Sequence, residues 1–163
     1  MKDPQIVAKK ERPVAYKEIQ VTLKEWGKAN ALFPEIFDWL KLQETPPAGP
    51  PFYQYMIIGD EENKFHLRAG VITSKLLVED AEVKTMMIPS GKYVSYIHKG
   101  HPDKLSKSHQ LILNWAEENG IELANSVNQL GTNWDGVYEF YLTDPAEEPD
   151  LNNWQIEINY LAK

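Results

Sequence analysis

The chain has no cysteine among its 163 residues. Disulfide scaffolding and thiolate metal sites are therefore excluded, and a reducing cytoplasm is the expected compartment. No apolar run is long enough to span a bilayer, and the opening "MKDPQIVAKKERP" holds no signal-peptide core. Basic blocks are missing too, and 17 Lys and Arg against 24 Asp and Glu leave a net charge of −7. Such a charge repels phosphate backbones, so neither a nucleic acid nor a membrane is expected as a direct partner, while cationic small molecules are tolerated or attracted. A Walker loop, a G-x-G-x-x-G turn and a G-x-S-x-G elbow are all absent, which argues against nucleotide binding and serine hydrolysis.

What is present suffices for one domain over 1–163, with 42% hydrophobic and 11% aromatic residues. "QIVAKKERPVAYKEIQV" reads as extended structure interrupted at Arg12-Pro13. Trp26, Ala29, Phe33, Ile36, Phe37 and Leu40 then follow at the spacing of one helical face. Pro34 either opens the helix proper or kinks it, and "TPPAGPP" ends it. "FYQYMII" and "KFHLRAGVITSK" are strands around the turn "GDEEN".

A similar order returns after "LLVEDAEV". "KTMMIPSGKYVSYIHKG" is extended with a turn at Pro89-Ser90-Gly91. The next helix has Pro102 in its first turn, Gly120 past its end, and Leu105, His109, Ile112, Leu113 and Ala116 on one side. A long connection, "IELANSVNQLGTNWDG", leads to the strands "VYEFYLT" and "NWQIEINYL". "PVAY" matches "YVSY", "IFDWL" matches "ILNWA", "FYQYMI" matches "VYEFYL", and "KFHL" matches "NWQI". The pattern predicts an α+β fold of two pseudo-symmetric strand–helix–hairpin repeats, about 5–73 and 83–163, with a central cleft. On this matching Tyr16 is the counterpart of Tyr96, and Gln54 that of Glu139.

Glu139 is the one acidic residue in "VYEFYL". Strand alternation puts it with Val137 and Tyr141, opposite Tyr138, Phe140 and Leu142. If that apolar set faces helices or core, Glu139 and Tyr141 look into the space between the halves. A carboxylate among aromatics is costly unless paired or protonated. A cationic ligand would pair it, and aromatic faces would add about 0.5–2 kcal/mol each. A solvent-facing glutamate, or one bonded to a lysine or a backbone amide, fits the same spacing.

"IPSGKYVSYIHKG", the helix ending "LNWAEENGI", "YEFYLTDP" and "NWQIEI" resemble the second half of the GyrI-like small-molecule-binding domain family. That family also supplies effector-binding domains to AraC-type and MerR-type regulators, including BmrR. The resemblance runs over nearly all of 1–163, departing at "INYLAK", where many members carry a proline. It implies antiparallel strands, a helix from each half, and a ligand cleft whose floor carries the glutamate matched by Glu139, with Tyr141 beside it.

Tyr16, Tyr96 and Trp26 are the candidate aromatic lining, with core burial as the competing fate. Trp134 is expected either in a covering loop or packed on the core. His66, His98, His101 and His109 complete no metal-ligand set, so neither metal nor cofactor is expected. His109 is read as a packed histidine bonded to backbone. The leading expectation is a stand-alone protein, without a helix-turn-helix arm, that binds a hydrophobic, cationic or aromatic small molecule. Two alternatives follow from the resemblance: a hydrolase of strained electrophiles using Glu139 with Tyr141, and a protein inhibitor of DNA gyrase.

Overall fold

The computed structural model describes residues 3–163. Its strands are Gln5–Lys9 (β1), Arg12–Val21 (β2), Pro51–Ile57 (β3), Phe65–Ile72 (β4), Lys84–Ile88 (β5), Gly91–Lys99 (β6), Asn125–Asn128 (β7), Gly131–Trp134 (β8), Val137–Tyr141 (β9) and Gln155–Leu161 (β10). The helices are Trp26–Asn30 (α1), Leu32–Leu42 (α2) and Leu105–Glu118 (α3). None is long and apolar enough to cross a membrane.

Eight strands form one antiparallel sheet in the order β1-β6-β10-β9-β3-β4-β2-β5, while β7 and β8 form a separate hairpin. The chain breaks between β1 and β2 at Lys10 and Glu11, slightly before the expected Arg12-Pro13. That short link dictates the shape of the sheet. Five strands lie between β1 and β2, which in a flat sheet would separate them by about 29 Å. The steps from Lys9 to Arg12 reach about 11 Å at most. The sheet must therefore curl into a half-barrel. The link from β5 to β6 through Pro89 and Ser90 spans the same gap from the other end.

Each sheet face has its own core. The helices cover one face, burying Ala15, Leu67, Val94, Ile156 and Ile158 against Ile36, Leu40, Ile112 and Ala116. The other face is closed by the curl, around Val14, Phe52, Tyr93, Tyr138 and Phe140. Arg12 reaches across this hollow and sets its guanidinium 4.7 Å from the Phe140 ring centre. Gly70 pairs with Phe52, and a Cβ there would sit 2.4 Å from the Phe52 ring.

Pro34 falls in the first turn of α2, where the missing N–H leaves no helical bond unmade. The helical segment is therefore restarted at Ala31 rather than kinked at the proline. Upstream, Glu25 caps the Thr22 backbone N–H at 3.1 Å and so fixes the entry to the segment. Pro102 lies in a 3₁₀ turn leading into α3, and Gly120 follows the helix at φ +67.

Tyr138 and Phe140 face a core, the one that the curl closes, while Leu142 lies beyond the strand, half-exposed, and does not join them. The helices pack on the face that carries Val137, Glu139 and Tyr141. The matching of Gln54 with Glu139 also fails. Gln54 pairs directly with Tyr138 and accepts a bond from Arg68 on the curl face, whereas Glu139 pairs with Tyr53 on the helix face. Tyr16 and Tyr96 are likewise split, Tyr16 packing on the curl core and Tyr96 within the helix-side core. A one-residue slip in a strand exchanges faces, so residue-type matching placed these pairs one step out of register. The strand order outward from the β3–β9 pair, β4-β2 on one side and β10-β6 on the other, is compatible with two copies; duplication is offered as a proposal.

Candidate functional site

The helices leave the middle of the sheet uncovered. α2 packs on β2 and β4, α3 packs on β6, and the central β3–β9 pair lies between them. The gap is a cleft of about 790 Å³, a volume that suits a drug-sized molecule. Its floor is Tyr55, Glu139, Tyr141 and Tyr160 from three adjacent strands. Trp26 and Phe65 stand on one side, and Leu105, His109 and Leu113 of α3 on the other. Asp60 and Asp103 lie in the same lining, in the β3–β4 turn and the turn before α3.

Glu139 is only 3% exposed, and its carboxylate meets three side-chain donors. Tyr55 and Tyr141 donate their hydroxyls to Oε1 at 2.6 and 3.0 Å, and His109 Nε2 lies 2.6 Å from Oε2. An ionised carboxylate only accepts, so Nε2 carries the hydrogen. On a neutral ring Nδ1 then accepts from the Tyr160 hydroxyl, 2.5 Å away. Burial, reinforced by the Glu139 charge, pushes the Tyr55 and Tyr141 hydroxyls well above the usual tyrosine range. Burial raises Tyr160 in the same way. All three hydroxyls therefore stay protonated and able to donate. The buried charge is answered by hydrogen bonds from within the protein.

Around this network the aromatic rings are packed edge and face. Trp26 stacks on Tyr55 with centroids 6.2 Å apart, and meets Tyr53 and Phe65 edge-on at 5.3 and 5.0 Å. Tyr53 in turn lies edge-on to Tyr141 at 5.8 Å and bonds through its hydroxyl to Asn30. Such contacts fix ring orientation and contribute about 0.5–1.5 kcal/mol per pair beyond area burial.

Of the residues singled out from sequence, Glu139, Tyr141 and Trp26 share the cleft. The others lie elsewhere. Tyr16 sits on the opposite sheet face with the Arg68 guanidinium 4.7 Å above its ring. Tyr96 is nearly buried on β6 beside a separate groove that includes Gln5 and Lys99. Trp134 closes the β7–β8 hairpin, which replaces part of the expected long connection, and packs edge-on against Tyr160 at 5.2 Å.

Sequence reasoning missed Tyr55, Phe65 and Tyr160. Tyr55 carries a signal, since it stands two residues from Tyr53 on one strand face; Tyr160 carries none until β10 is seen beside β9. His109 bonds to side chains of two strands and not to backbone, which corrects its expected role. His98 is held at Nδ1 by Ser108 at 2.7 Å and at Nε2 by the His101 carbonyl at 3.0 Å, so both ring nitrogens are occupied. Among the described residues no three His, Cys, Asp or Glu gather as a metal site.

The family model for the GyrI-like small molecule binding domain matches residues 2–159. No curated protein matches the sequence. Among solved structures, the EcmrR C-terminal domain is 21% identical, with a TM-score of 0.79 and 98% of each chain covered. EcmrR in its complex with DNA is 19% identical at a TM-score of 0.77; 99% of this chain is covered, and it spans 57% of the EcmrR chain. SAV2435 bound to tetraphenylphosphonium is 12% identical at a TM-score of 0.61, with 99% of this chain and 94% of that one covered.

Proposed function

Because this chain belongs to the GyrI-like small-molecule-binding domain family, we propose that its cleft captures hydrophobic, aromatic or cationic molecules, for sensing or sequestration. The observation that carries this reading is one buried carboxylate on the floor of an aromatic cleft of about 790 Å³. Flat rings find faces and edges in Trp26, Tyr55 and Phe65. A delocalised cation gains from those same faces and from the Glu139 charge beneath them. Tetraphenylphosphonium, the molecule bound to SAV2435, is a suitable probe of this chemistry.

The site geometry favours capture over turnover. A general base needs a lone pair directed at water or substrate. Here Oε1 accepts two tyrosine hydroxyls and Oε2 accepts His109, so three of the carboxylate's roughly four lone-pair sites are filled from within the protein. No feature of the site favours the hydrolase or the gyrase-inhibitor reading. Calorimetric titration with tetraphenylphosphonium and with neutral triphenylmethanol tests the proposal. Saturable binding of at least one probe, lost on filling the cleft by Ser106→Trp at a position of α3 that lines it, supports the proposal; no binding of either sinks it.

A further inference from the structure

Glu139 is held unequally on its two oxygens. Oε1 has two donors, Tyr55 and Tyr141, both mounted on the central strands. Oε2 has His109 as its one donor among the described residues, and that donor is mounted on α3 across the cleft. His109 is in turn bonded to Tyr160, whose hydroxyl makes no other bond among the described residues. The imidazole thus covers the carboxylate oxygen on the α3 side of the cleft.

We propose that His109 is the specificity-determining residue of the cleft, screening Glu139 so that neutral aromatic ligands compete well with cations. The proposal rests on the reading of this cleft as the ligand site. A cation that pairs closely with Oε2 competes with the imidazole for that oxygen, weakening the His109–Glu139 bond and, through it, the bond from the Tyr160 hydroxyl. A neutral aromatic molecule stacking on Trp26 and Tyr55 breaks neither bond. The acidic character of the chain draws cations toward the cleft, and His109 limits how much of that attraction becomes close pairing.

The test compares the affinity ratio of tetraphenylphosphonium to triphenylmethanol in the wild type, H109F and H109Q. Phenylalanine keeps the ring and removes both nitrogens, so the ratio should shift toward the cation by about tenfold, the usual worth of a hydrogen bond to a charged group. Glutamine still offers an N–H donor and a carbonyl acceptor, so H109Q should stay near the wild-type ratio. A merely structural role would lower both affinities together in H109F and leave the ratio unchanged, which overturns the proposal. A ratio shifted toward the neutral probe also overturns it. If the wild type binds neither probe, the cleft reading fails and the inference goes with it. Should H109F not fold, the wild-type imidazole ¹⁵N signals give the same answer. Tetraphenylphosphonium should perturb those of His109 and triphenylmethanol should not; equal perturbation by both, or none by either at saturation, overturns the proposal.

Discussion

Glu139 and Tyr53 are direct partners across the β3–β9 ladder, so they share the face on which the helices pack. Tyr55, two residues along, shares it as well and reaches the carboxylate with its hydroxyl. The aromatic floor and the charge it surrounds are therefore products of one strand register. A slip of one residue would send Glu139 into the curl beneath Arg12 and replace it with Tyr138 or Phe140.

Glu139→Gln should fold but lose stability. The amide nitrogen would confront a hydroxyl or imidazole donor where an oxygen now accepts, at a cost of about 1–3 kcal/mol. Tetraphenylphosphonium should weaken by about 1 kcal/mol, since His109 limits its close pairing with Glu139, and triphenylmethanol much less. Thermal unfolding and calorimetry read the two effects separately. Equal cation affinity in the folded variant would show that the carboxylate plays no part in binding.

Trp26→Leu removes the ring that stacks on Tyr55 and meets Tyr53 and Phe65. Both probes should weaken by roughly tenfold, since cation and neutral ligand use the same aromatic face. Tyr16→Leu is the control, because Tyr16 lies on the other side of the sheet. A comparable loss of affinity in the control would contradict this placement of the site.

Gly70→Ala should destabilise the protein by about 1–3 kcal/mol through overpacking against Phe52 in the curl core. Urea unfolding measures this directly. Ligand affinity of the folded fraction should hardly change, since Glu139 and Trp26 are on the opposite face. A neutral effect on stability would mean that Phe52 swings aside freely.

The alkaline limb of stability should reflect the buried tyrosines. Burial pushes the Tyr93 hydroxyl from 10.0 up to about 12. Below pH 10 the group is protonated in both folded and unfolded chains, so its contribution is fully present. As pH rises from 10 to about 12 the unfolded chain loses this proton first, and stability falls. Tyr93→Phe should flatten part of that fall while losing the 2.6 Å bond to the Pro89 carbonyl. Unfolding free energies at pH 8, 10 and 11 decide it: parallel curves for wild type and variant would refute the assignment.

The local elements were legible in the chain because their causes are local. Pro34, "TPPAGPP", Pro102 and Gly120 punctuate the helices, and alternation in "VYEFY" separates Glu139 from Tyr138 and Phe140 whatever surrounds them. What alternation cannot say is which of two cores a face meets, and Tyr138 and Phe140 meet the core of the curl and not the helices. Nor can residue-type matching hold strand register, which is why Gln54 was paired with Glu139 and Tyr16 with Tyr96. The curl arises from two short links joining distant strands, and that property exists only once the sheet is ordered. The same holds for the site. Sequence marked Glu139 as a charge needing a partner, but Tyr55 and His109 reach it from 84 and 30 residues away in the chain, and Tyr160 bonds to that histidine from 51 residues away. Only antiparallel pairing of β3, β9 and β10 under α3 brings those donors within hydrogen-bond distance. Such bonds depend on ångströms in space, and spacing along the chain does not encode them.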